Sequence, residues 1–238
     1  MRKIFLIFLL TGCLPSMYGQ NFSSDTLKLH SQVLGEGRAL FVHKSKNISP
    51  SDSVRLIFFL DGNNSADHYK RVLKKVPNPN YIAISIENTN RKRDMLYANE
   101  AKTFLSFITN ELMLLIDSLF TVKEKILFGH SFSGSFCVFA LLNNPNAFNK
   151  YIASSPTPIV DLISVDLYNS TNNKLTQETK LHVSYGDKDM KQVKKWCGRL
   201  TENLNGKSFS NLQFDIQQNP EKKHYNNDAS ALIQGLVF

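Results

Sequence analysis

The chain has 238 residues, 42% hydrophobic and 11% aromatic, enough for one sizeable core and short for two independent domains. Its formal net charge is +8, but the cations are scattered through "KRVLKK", "RKR", "KQVKK" and "EKK" rather than gathered on one aromatic-bearing stripe, which argues against nucleic-acid binding. Its three cysteines do not make a disulfide scaffold, and no cluster of Cys, His and carboxylates has the spacing of a metal site.

The chain starts "MRKIFLIFLLTGCLPSMYGQ": two cations, an unbroken apolar stretch, then small and turn-forming residues. That layout predicts an export signal over residues 1–20 and a single domain over 21–238, in the periplasm or secreted. "LTGC" (Leu10 to Cys13) fits a lipoprotein cleavage box, which would put a lipid anchor on Cys13, while "MYGQ" (Met17 to Gln20) fits ordinary cleavage; both routes stay open. Ile4 to Leu10 is far too short to span a bilayer, and no later run approaches the roughly 20 apolar residues a spanning helix needs.

"LKLHSQVLGEGRALFVHKS" alternates apolar and polar residues around Gly35 and Gly37, predicting an antiparallel hairpin at a sheet edge. Five short runs then follow, rich in branched and aromatic residues: Val54 to Gly62, Tyr81 to Glu87, Lys125 to His130, Lys150 to Pro156 and Lys180 to Asp187. Continuous apolar runs of this length suit strands covered on both faces. Between them lie helix-period segments, Asp67 to Val76, Asn99 to Phe120, Gly134 to Asn143 and Met190 to Leu204. The alternation predicts an α/β fold, a mostly parallel sheet with helices on both faces, whose reactive groups collect at the carboxyl ends of the strands. Val160 to Thr179 is crowded with Asn, Ser and Thr and reads as a surface excursion.

"FGHSFSG" (Phe128 to Gly134) joins an inferred strand to an inferred helix through small residues. That is what a nucleophile elbow needs, because a serine in a strained turn tolerates no bulk beside it. Ser131 is thus the candidate nucleophile. The motif departs from G-x-S-x-G where Ser133 replaces the last glycine. Cys137, among Phe136, Val138 and Phe139, reads as a buried small hydrophobe.

Of six histidines, His30 and His43 fall in the hairpin, His68 in a helix, His130 in the elbow and His182 inside a strand. His224, in a polar loop before the last helix, is the candidate base, because a doubly wound hydrolase reads nucleophile, acid, histidine along the chain. "SYGDKD" offers two carboxylates, Asp187 and Asp189, to orient it. Asp189 is preferred, since three residues past the glycine the turn can carry it toward the sheet edge, with Asp187 as the alternative. Negative charge developing on the substrate needs backbone N–H donors, here Phe132 after the nucleophile and Asn63 in "LDGNN".

With these pieces placed, the sequence resembles the esterase branch of the α/β-hydrolase superfamily, which includes esterase D, ferric-enterobactin esterases, feruloyl esterases and the antigen 85 mycolyltransferases. The resemblance runs from "SQVLGEGRALFVH" and "LIFFLDGNN" through "NTNRKRD" (Asn88 to Asp94), "ILFGHSFSGSFCVF" and "FNKYIASSP" to "HVSYGDKD" and "KKHYNNDASALIQGL". It implies an esterase needing no cofactor, with Ser131 as nucleophile, His224 as base and Asp189 as orienter. It also places Arg91, Arg93 and Asp94 near the site rim as structural residues. The expected substrate is a small-molecule ester, of a siderophore, a ferulate or an acylated sugar, and the basic balance suits an anionic one. Transfer of the acyl group to an alcohol, or an exported binding protein without turnover, are the alternatives.

Overall fold

The structure is a computed structural model that describes residues 22–45, 48–49, 52–76, 81–159, 163–164, 166–171 and 174–238. The expected export signal and Cys13 lie outside the described residues.

Eight strands form one sheet in the order β1-β2-β4-β3-β5-β6-β7-β8. β1 (Phe22–Ser31) and β2 (Glu36–Ser45) are the antiparallel hairpin, with Gly35 at φ 66° in its turn. β2 runs antiparallel to β4 (Tyr81–Ile86), and from there β3 (Val54–Phe59), β5 (Val122–His130), β6 (Lys150–Ser154), β7 (Thr179–Lys188) and β8 (Leu212–Lys223) are parallel. The chain leaves β3 toward β4 on one side and returns to β5 on the other. The carboxyl ends of β3 and β5 therefore flank the switch point, where this kind of sheet opens a crevice.

The central strands are apolar without alternation because both faces are covered. Leu56 and Phe58 face one core, while Ile57 and Phe59 face the other. The first face carries α3 (Ala98–Phe107), α4 (Met113–Leu119), α5 (Phe132–Asn143) and α7 (Lys191–Leu204), through Phe104, Ile116, Phe136 and Trp196. α1 (Gly62–Leu73) and α8 (Asp228–Val237) cover the second face, through Tyr69, Leu73, Leu232 and Leu236. Each such side chain contributes roughly 1.5–3 kcal/mol by leaving water. α5 is buried all round from Ser133 to Leu141, Cys137 included, which is why it shows no polar face.

Four features differ from the sequence expectations. β8 was not anticipated, because Leu212, Phe214 and Ile216 alternate only briefly before a polar run, the mark of an edge strand. α1 begins five residues earlier than its apolar period, its first turn being polar. The long helix over residues 98–119 contains a π turn, Ile108–Leu112, in which Glu111 accepts from the Ser31 hydroxyl at 2.5 Å and from the Gln32 and Val33 N–H groups at 2.9 and 3.0 Å. The polar excursion is also not confined to the surface. Ile163, Leu167 and Leu175 are buried in the first core, Leu167 at the start of α6 (Leu167–Thr171).

α2 (Arg91–Leu96) is pinned to the hairpin by an ion cluster. Fully buried Arg38 lies 2.7 Å from both Asp94 and Glu36, and Arg93 reaches the same two carboxylates at 2.8 and 2.7 Å. The hydrogen bond from Arg93 is the main reason the Glu36 carboxyl is held down at about 2. No helix among the described residues is long and apolar enough to cross a membrane.

Candidate active site

Ser131 stands at the carboxyl end of β5, before the first turn of α5, with φ 63° and ψ −118°. This lies outside the basins open to L-residues and persists only because its surroundings over-determine it. The Ser131 N–H donates to the Ser154 carbonyl at 2.9 Å, and its own carbonyl accepts from the Thr157 N–H at 3.3 Å. Gly129 permits the turn, since a Cβ there would stand 2.1 Å from the Ser133 carbonyl oxygen.

The structure brings three of the candidate residues into one hydrogen-bonded chain. Ser131 Oγ lies 2.9 Å from His224 Nε2, and His224 Nδ1 lies 2.8 Å from Asp189 Oδ1. An ionised carboxylate only accepts, so this network assigns the imidazole proton to Nδ1 and leaves the Nε2 lone pair facing the serine hydroxyl. His224 opens a short 3-10 turn, His224–Asn226, between β8 and α8. Asp189 follows β7. Gly186 brings the two together, for a Cβ there would come within 2.0 Å of the Lys222 carbonyl oxygen.

Asp189 is 6% exposed, and its second oxygen accepts from the Ser155 hydroxyl at 2.6 Å and the Gly186 N–H at 3.3 Å. Burial alone would raise its pKa. Hydrogen bonds from His224, Ser155 and the Met190 and Gly186 N–H groups outweigh that and hold the carboxyl below its usual value. Asp187 points elsewhere: its Oδ1 is buried without a hydrogen-bond partner, and its carbonyl accepts from Lys194 Nζ at 3.0 Å. Four of the other histidines have their own partners, His43 with Ser24, His68 with Asp228 and His182 with Asp215, each at 2.9 Å, and His130 with Ser154 Oγ at 3.1 Å. His130 packs its ring 5.1 Å from that of His224, and burial with the neighbouring imidazole pushes its pKa down to about 4.

Phe132 and Asn63 occupy the first turns of α5 and α1, where helices leave their N–H groups without intrahelical acceptors. Gly62 lets α1 start against β4, since a Cβ would sit 2.6 Å from the Ser85 carbonyl carbon. Beside Asn63 opens a cavity of about 540 Å³, lined also by Ser24, Thr26, Phe41, His43 and Asp67.

Several neighbours were not anticipated. Thr157 Oγ1 lies 3.2 Å from Ser131 Oγ. Fully buried Asn227 donates to Ser184 Oγ at 3.0 Å and to Ser154 Oγ and Ser155 Oγ at 3.2 and 3.3 Å, while Asn219 donates to Asn227 Oδ1 at 2.7 Å. This network anchors the turn that carries His224. The only signal for it was a cluster of small polar residues at strand ends, "SSPTP" above all.

No curated protein matches the sequence. Among solved structures, the BES protein from Bacillus cereus superposes with a TM-score of 0.80 at 20% identity, over 100% of this chain and 98% of that one. An IroE-like serine hydrolase from Shewanella oneidensis gives 0.79 at 22% identity, over 90% and 79%. The siderophore hydrolase EstB from Aspergillus nidulans gives 0.73 at 19%, over 90% and 94%. At these identities the likeness establishes the α/β-hydrolase fold. The family described as "Putative esterase" matches residues 31–199, and the chain therefore belongs to that family of carboxylic ester hydrolases.

Proposed function

We propose that the protein is a serine esterase working through an acyl-serine intermediate. The observation that carries this reading is the hydrogen-bonded chain Asp189–His224–Ser131 ending on a strained serine. Ser131 Oγ attacks the ester carbonyl carbon while its proton passes to His224 Nε2. Asp189 holds the Nδ1 tautomer and stabilises the imidazolium. The tetrahedral oxyanion takes hydrogen bonds from the Phe132 and Asn63 N–H groups. Collapse expels the alkoxide, which receives the proton from Nε2, and water activated by the same nitrogen then releases the acid.

Siderophore or feruloyl esters are the substrate classes we infer first, because solved structures named as a siderophore hydrolase and a ferulic acid esterase share the fold; an acylated sugar is the third class to screen. The start of the chain supports export, which cell fractionation of the full-length protein tests. For the chemistry, turnover of p-nitrophenyl acetate is compared with Ser131→Ala, Asp189→Asn and Asp187→Asn. Loss of kcat by about 10⁴-fold or more in the first two, with Asp187→Asn near wild type, is expected. Retained turnover in Ser131→Ala overturns the reading, and equal losses at the two aspartates overturn the assignment of the acid.

A further inference from the structure

Ser133, where the elbow motif has glycine, is 1% exposed, and its hydroxyl donates to a carboxylate oxygen of Asp61, the residue before Gly62 and Asn63. Asp61 is also held from the segment that follows β4. Arg91 grips it through Nε and Nη2, both at 2.8 Å, and Asn88 Nδ2 donates to it at 2.5 Å. Arg91 Nη2 lies 3.3 Å from the His130 carbonyl, and its guanidinium sits 5.1 Å over the Phe132 ring. One carboxylate thus stands between the turn after β3 and the turn after β5, tied to the second by the Ser133 hydroxyl. Glycine at that position would provide no such tie.

We propose that Ser133 is a positioning residue that sets the distance between the Phe132 and Asn63 N–H groups. Phe132 immediately precedes Ser133, and Asn63 lies two residues after Asp61, so the Ser133–Asp61 bond spans the gap across which both donors must reach one oxygen. This rests on the esterase reading, which makes those N–H groups the oxyanion donors. Donors stabilise a developing oxyanion only when both lie near 2.7–3.1 Å from its position, and a misplacement of about 1 Å costs up to about 100-fold in rate. The ground-state carbonyl carries little charge, so loosening the pair acts on the transition state and spares substrate binding. Arg91 has a matching part: it neutralises the Asp61 charge that would otherwise repel the oxyanion.

The test compares wild type with Ser133→Ala, which deletes only the hydroxyl, and with Ser133→Gly, which restores the motif residue. The readouts are p-nitrophenyl acetate kinetics, inhibition by an aryl trifluoromethyl ketone that forms a tetrahedral adduct, and thermal melting. Expected for both variants is a fall in kcat of about 10- to 100-fold at nearly constant KM, with ketone affinity weakened by a similar factor. In a double-mutant cycle with Asp61→Asn, the two losses should not add. Unchanged kcat, a loss confined to KM, or a loss of kcat that leaves ketone affinity intact overturns the proposal. A wild type that a fluorophosphonate fails to label at Ser131 overturns the esterase reading and this inference with it. Labelled wild type alongside an unimpaired Ser133→Ala overturns the inference alone.

Discussion

The turns after β3 and β5 are neighbours in the sheet and share an outline. Each ends a buried strand, places a non-glycine residue at positive φ and opens a helix: Asp61 at φ 62° and ψ 37°, Ser131 at φ 63° and ψ −118°. The difference lies in ψ. Asp61 sits in the left-handed basin, which a short polar side chain tolerates, whereas Ser131 lies outside every basin of an L-residue. In the proposed mechanism the first turn supplies only a backbone N–H, while the second must also project a side chain out of the sheet toward His224. Strain of about 1–3 kcal/mol is thus concentrated at the residue whose side chain is proposed to react.

The tightness of the two turns should differ accordingly. A Cβ on Gly129 would stand 2.1 Å from the Ser133 carbonyl oxygen, and one on Gly62 would stand 2.6 Å from the Ser85 carbonyl carbon. Both neighbours are backbone, so neither can rotate away. Gly129→Ala should cost more than about 3 kcal/mol in urea unfolding, and Gly62→Ala about 1–3 kcal/mol. Equal costs would remove the contrast.

The residue before each turn differs in chemistry too: Leu60 on one side, His130 on the other. Burial, with the nearby His224 ring, pushes the His130 pKa down to about 4 from an unfolded value near 6.5. The fold therefore keeps this imidazole neutral while the unfolded chain protonates first. The associated stability is fully present above about pH 6.5 and is lost as pH falls toward 4. Between pH 7 and pH 5 the wild type should lose about 2 kcal/mol more than His130→Gln in urea unfolding. Parallel losses would show that the elbow is no more acid-sensitive than the rest of the chain. His43 and His182, also shifted down by burial, remain in both proteins and cancel in the comparison.

The same pair of turns shows what sequence patterns record. The strand into the elbow was legible because an apolar run stops at Gly129 and resumes at Phe136, and His224 was legible from chain order. The start of α1 was hidden, since Gly62 to Ala66 lies at the site, where no apolar face is required. β8 was hidden because an edge strand such as Leu212–Lys223 is fixed by backbone pairing with β7 more than by side-chain alternation. Spacing past Gly186 favoured Asp189 but left Asp187 as an alternative. Their separation depends on how the Gly186 turn packs against Lys222, a tertiary contact. Ser155, Thr157 and Asn227 were missed for a related reason: small polar residues look alike whether they line a loop or close a buried network, and Ser133 was visible only as a departure from the elbow motif. The "NTNRKRD" string divides within one helix, with Arg91 turned toward the elbow and Arg93 and Asp94 toward the hairpin.

The smallest expected effect isolates the strain itself. At position 131, Ala and Gly both remove the hydroxyl, so their difference reports backbone conformation. Glycine relieves about 1–3 kcal/mol of strain but gives back about 0.4–1 kcal/mol through the greater freedom of the unfolded chain. Ser131→Gly should therefore be more stable than Ser131→Ala by about 1 kcal/mol. At position 61 both substitutions remove the carboxylate that Arg91, Asn88 and Ser133 share, and both should fall below wild type. There the gain from Ala to Gly should be smaller, because the left-handed basin is open to L-residues at modest cost. Urea unfolding of the four variants measures both differences. A gain at 61 equal to that at 131 would mean that ψ does not matter and that the two turns are strained alike. A gain confined to 131 would place the stored strain at the serine.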